Sequence, residues 1–198
     1  METTNITKKP SLAKSTLPYG IIYGAILLLE FVASYSLGLN SAENKGVGIL
    51  MGIFNYLILP LLFIFLACNN YKNKINGGYI TFGESLKAGV ATSVISGLIS
   101  SIGSSLIYLL IPDAKEQILE QTRVSLAVQP NMTAESLKMA VEMTEVFMRP
   151  YILIPFSILV SAIIGLIFSL IIGAILKKEN PYGDFSPSQE LNNVGSEQ

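Results

Sequence analysis

Residues 150–176 read PYILIPFSILVSAIIGLIFSLIIGAIL, a stretch with no charged side chain, closed by Lys177 and Lys178. A helix needs about 20 predominantly apolar residues to cross a hydrocarbon core of ~30 Å, and this run exceeds that. Backbone polar groups find no water at that depth, so the run satisfies them as one helix. Working back along the chain, 17–39, 46–67 and 88–111 read the same way, and Glu30 is their one charged residue. Together the four runs take about half of the 198 residues. The expectation is an all-α membrane protein with four transmembrane helices.

Composition narrows the function classes. Apolar residues make up 51% of the chain and the formal net charge is -1, which offers no field for nucleic acid. There is no His and only one Cys, Cys68. The commonest general base and metal ligand is therefore missing, and neither an internal disulfide nor a multi-Cys metal site can form. Met132, Met139, Met143 and Met148 have no Cys or His among them and read as apolar contacts rather than copper ligands. No nucleophile–base pair or cofactor motif stands out, so neither an enzyme nor a cofactor is expected. Lys8, Lys9 and Lys14 precede the first run as in a signal peptide, but the run is too long for an h-region and has no small-x-small cleavage site. It reads as a retained span.

The charges between the runs set the organisation. Lys8, Lys9, Lys14, Lys72, Lys74, Lys87, Lys177 and Lys178 fall on one side of a four-span chain, and Lys45, Lys115, Arg123, Lys138 and Arg149 on the other. The short lysine-bearing flanks place both termini in the cytosol. Residues 1–16 are then a cytosolic N-terminal segment, 17–178 the transmembrane domain and 179–198 a disordered cytosolic tail. Within 68–87, an inner connector, Thr81-Phe82-Gly83-Glu84 has the spacing of a capping box, which starts the third helix near Phe82. Residues 112–149 read as an outer amphipathic helical hairpin. Asp113 and Glu116 suggest another capping box, Val128-Gln129-Pro130-Asn131 a break, and Glu145 with Arg149 an i,i+4 pair.

Small residues recur at every fourth position inside the membrane. Gly89, Ser93, Gly97, Ser101 and Ser105 form one ridge of the third run, and Ala88, Thr92, Ser96, Ser100 and Ser104 a neighbouring one. Ser157, Ser161, Gly165, Ser169 and Gly173 form a ridge on the fourth. Such ridges let backbones approach where lipid gives no hydrophobic drive. They serve either packing of the third span on the fourth, or contact with a homo-oligomer partner or another membrane protein.

Glu30 lies about 3 Å from the middle of its span at 1.5 Å rise per residue. An acid at that depth is costly and faces the protein interior or water. No Lys or Arg shares its depth, so it is expected to keep its proton and donate a hydrogen bond. Tyr19, Tyr23 and Ser34 fall near its face, while Asn55, Tyr56, Ser96, Ser100 and Ser161 occupy the middle of the other runs. Glu30, Asn55, Tyr56, Ser100 and Ser161 therefore form a candidate intramembrane polar site, either a structural hydrogen-bonded acid or an ion or proton site.

The stretch 77–89, GGYITFGESLKAG, and the opening 19–24, YGIIYG, resemble signatures of the domain-of-unknown-function family 4199. The likeness covers most of 15–178. It implies a small four-span protein of the bacterial cytoplasmic (inner) membrane and assigns no residue a role. The reading that follows is a small membrane scaffold or partner protein. The alternative is a small ion- or proton-coupled transporter or channel subunit using Glu30.

Overall fold

The structure, a computed structural model, describes residues 11–37 and 45–180. Its helices are α1 (Leu12–Ser36), α2 (Lys45–Ile53), α3 (Leu59–Asn70), α4 (Phe82–Leu110), α5 (Pro112–Ala127), α6 (Ala134–Phe147) and α7 (Pro150–Leu176). Turns of π-helix at Phe54–Ile58 and Tyr71–Ile75 make α2 and α3 one continuous second span, Gly46–Ile75. Four helices are long and apolar enough to cross a membrane, and among the described residues there is no strand. The fold is that of an all-α membrane protein. Of the expected cytosolic segments 1–16 and 179–198, residues 1–10 and 181–198 lie outside the described residues.

Several helices run past the apolar stretches, for local reasons. α1 begins before its apolar run, at Leu12, and the hydroxyls of Ser15 and Thr16 in its first turns donate to the carbonyls of Leu12 and Ala13, at 2.7 and 3.1 Å. The second span continues helically through Cys68 to Ile75, so the connector shrinks to a turn. Gly77 and Gly78 sit there at φ 61° and 90°, a region that a side chain makes costly. α4 starts at Phe82 with the capping box in place: Glu84 N–H donates to Thr81 Oγ1 at 3.2 Å, and Thr81 N–H to Glu84 Oε2 at 2.9 Å. It ends at Ile111, whose extended backbone (φ -128°) is what a following proline demands.

α5 and α6 occupy the segment between the third and fourth spans. The expected box at Asp113 and Glu116 is not formed, because Pro112 takes the first helical position and Asp113 is already inside the helix. Thr133 caps α6 through the N–H of Ser136, at 3.1 Å. Glu145 pairs with Lys115 of α5 at 2.8 Å, and Arg149 turns to the Tyr151 hydroxyl at 3.0 Å.

α4 is the central helix, packed along α7 on one side and α1 on the other. The small-residue ridges explain both contacts. A side chain at Gly97 would strike Ser161, and one at Gly165 would meet Ser93 at 2.8 Å and the Gly89 carbonyl at 3.0 Å. On the α1 side, Gly20 lies against Thr92 O and Gly24 against Ser96 O, at 2.9 and 2.8 Å from an added Cβ. These ridges are occupied within the chain. Ile64, Cys68, Tyr71, Ile80, Phe168 and Ile172 close the lysine-rich end as a dry cluster.

Candidate functional site: a buried carboxyl between two cavities

The second span brings Asn55 to Glu30 by a local irregularity. Pro60 has no N–H for the carbonyl four residues back, and its ring would crowd that carbonyl in a regular α-helix. The π-turn at Phe54–Ile58 absorbs the misfit by widening the helix just before Leu59. Asn55 lies in that widened turn, and its Nδ2 donates to Glu30 Oε1 at 2.7 Å. Their other oxygens, Glu30 Oε2 and Asn55 Oδ1, are buried and make no hydrogen bond. Two acceptors without donors are costly at this depth. A shared proton, a water molecule or a small cation would satisfy both.

Open space adjoins the pair on both sides. Glu30 lines a cavity of about 360 Å³ together with Ser34, Tyr35, Tyr108, Gln117 and Gln121. Asn55 lines a second, of about 370 Å³, with Tyr23, Tyr56, Ser93, Ser100 and Ser161. Each volume is many times that of one water. The first cavity reaches α5 and the second lies among all four spans. The Ser96 and Ser100 hydroxyls donate back to their own helix, to Ser93 O at 2.8 Å and Gly97 O at 3.3 Å, whereas Ser93 Oγ is buried without a partner. Tyr23 forms the wall of the second cavity towards the lysine-rich end. Tyr23 and Phe63 stack there with ring centroids 5.3 Å apart, alongside Leu59.

Of the residues singled out from the sequence, Glu30 and Asn55 are bonded to each other. Asn55, Tyr56, Ser100 and Ser161 share the second cavity, with Tyr56 at its rim and 68% exposed. Tyr19 packs on the Tyr23–Phe63 stack instead. Gln117 and Gln121 on α5, and Tyr108 near the end of α4, join the Glu30 cavity without having been read as site residues. The i,i+4 spacing of the two amides was the available signal. Among the described residues no cluster of His, Cys, Asp or Glu is suited to a metal ion. Cys68 is buried in the far cluster, its thiol 3.7 Å from the Ser85 carbonyl.

Residues 18–178 match the profile of a family described as "Protein of unknown function (DUF4199)". No curated protein and no solved structure matches the chain.

Proposed function

The chain belongs to this DUF4199 family, its apolar helices fit an integral membrane protein, and from that premise we propose a role for the buried pair. The protein works as a small ion- or proton-coupled transporter or channel subunit, with Glu30 as the group that takes the cation. The observation behind this reading is the placement of the Glu30–Asn55 bond against two cavities whose mainly apolar walls also carry several polar side chains. A carboxyl kept for packing alone has no need of space on both sides, and each buried acceptor left open is a cost. Among the described residues no basic side chain lines either cavity, so a proton or a small cation is what balances the carboxylate. A Tyr23–Phe63 stack that acts as a seal towards the lysine-rich end would suit a carrier caught in one state better than an open pore. The protein would reside in the bacterial inner membrane with both termini cytosolic and 112–149 as an outer hairpin. No enzymatic activity is proposed.

The experiment is flux of protons and of Na⁺ or K⁺ in proteoliposomes. Glu30→Gln should insert and fold normally yet be inert, because an amide keeps the shape but cannot hold the charge. Absence of cation movement by the wild type would refute the transport role. A scaffold role has one observation on its side: the 2.7 Å Asn55–Glu30 bond ties the first span to the second. It predicts no flux, and a membrane partner that co-purifies equally with wild type and Glu30→Gln.

A further inference from the structure

At the lysine-rich end the chain encloses a third cavity, of about 480 Å³, which the polar centre does not use. Its wall includes Asn76 from the turn after the second span, Thr81, Glu84 and Lys87 from the start of α4, and Lys178 and Asn180 beyond α7. The backbone fixes this arrangement. Ile80 and Lys178 exchange two N–H···O bonds of 3.0 Å, and Lys72 Nζ donates to the Leu176 carbonyl at 2.9 Å. The Lys178 ammonium lies 5.3 Å from the centre of the Tyr79 ring.

Among the described residues the wall holds two cations against one acid, and that acid is committed. Glu84 Oε2 accepts from the Thr81 N–H and hydroxyl, at 2.9 and 3.1 Å, and Oε1 accepts from the Tyr71 hydroxyl at 3.0 Å. Neither Lys87 nor Lys178 forms an ion pair among the described residues. The cavity lies where the apolar part of each span gives way to polar residues, which is head-group depth. In the last two turns of α7, before Lys178 in the chain, Ile171 and Ile175 are exposed, 51% and 74%, as an apolar surface open to acyl chains.

We propose that this cavity binds the phosphate group of an anionic phospholipid, with Lys87 and Lys178 as its charge partners. Basic pockets between spans at a membrane surface recognise such head groups because charge and depth act together. The full chain, extracted from vesicles of mixed phosphatidylglycerol and phosphatidylcholine, would be examined by native mass spectrometry for retained lipid. The expected result is preferential retention of phosphatidylglycerol. Lys87→Gln and Lys178→Gln should each lower it about fivefold, and the double variant roughly 30-fold. The double Lys→Arg variant should retain the lipid, and Lys115→Gln, on α5, should change nothing. Melting temperatures of all variants would separate loss of lipid from loss of fold. Equal retention of both lipids, or Gln variants that fold and behave as wild type, would overturn the proposal. Displacement by soluble glycerol phosphate at the lipid's own concentration would reassign the site to free phosphate esters and likewise overturn it.

Discussion

At the scale of single residues, Glu30 and Glu145 show how differently one functional group behaves by location. Glu30 Oε1 is the acceptor for a part-buried Asn55 N–H, so removing the carboxyl strands that donor. Glu30→Leu should cost on the order of 1–3 kcal/mol of stability, and Asn55→Leu a similar amount by stranding Glu30. Glu30→Gln should lose little, since its amide oxygen still accepts from Asn55. Denaturation in detergent micelles, followed by helical circular dichroism, measures all three. If Leu and Gln at position 30 destabilise equally, the bond has no structural worth. Glu145 is exposed, and a hydrogen bond from Lys115, then the charge of Lys115, holds its carboxyl below the usual range. A folded value below the unfolded one means that any stability from the pair is present above the ordinary carboxylate range. It is lost as pH falls through the lowered folded value. Lys115→Gln should return the Glu145 titration towards the ordinary value, seen by NMR on a side-chain carbon label. Because Glu145 is exposed and Lys115 partly so, solvent screens the pair and the melting temperature should hardly move.

At the scale of elements, the glycines separate into those that hold helices together and those that do not. Gly97 and Gly165 sit where α4 meets α7, and even one methyl there meets Ser161, or Ser93 and a backbone carbonyl. Gly97→Ala and Gly165→Ala should each destabilise by about 1–3 kcal/mol through overpacking. Gly52 has nothing within 4 Å of an added Cβ, so Gly52→Ala should be neutral or gain up to ~1 kcal/mol from helix propensity. Comparing the three by unfolding in one detergent checks the assignment, and a Gly52→Ala that is worst of the set would reverse it. Much of this level was legible beforehand. The four spans follow from uncharged length, the start of α4 from Thr81 and Glu84, and the α4–α7 contact from every-fourth small residues. Other features were not. Hydropathy does not register a helix that continues through Asn69, Asn70 and Tyr71, because those residues are polar while their backbone stays helical. The π-turn depends on Pro60 relative to neighbours that a single-chain pattern does not place. The Glu30–Asn55 meeting was readable only as two polar residues at similar depth, since depth fixes height along a span and not the face it turns to a neighbour.

At the scale of the whole molecule, the two ends of the spans are chemically unlike. Lys14, Lys72, Lys74, Lys87, Lys177 and Lys178 gather at one end, around the dry cluster of Ile64, Cys68, Ile80 and Phe168. At the other end α5 and α6 carry mixed charges and pair Lys115 with Glu145. The Glu30 cavity borders Gln117 and Gln121 of α5, whereas the Tyr23–Phe63 stack lies on the side of the second cavity nearer the lysines. If lysine-rich flanks stay in the cytosol, access to Glu30 comes from outside. Single cysteines test orientation and access together, in a Cys68→Ser background where the native thiol is buried and a hydroxyl can still donate to Ser85 O. Gln129→Cys, at an exposed turn between α5 and α6, and Ser34→Cys, in the Glu30 cavity, should both react with a membrane-impermeant thiol reagent added to intact cells. Asn73→Cys, exposed at the lysine end, should react only after the cells are opened. Labelling at 73 but not at 129 would invert the orientation. Labelling at 129 while 34 stays silent would keep the orientation but close the cavity to water, and the cation route through Glu30 would fall with it.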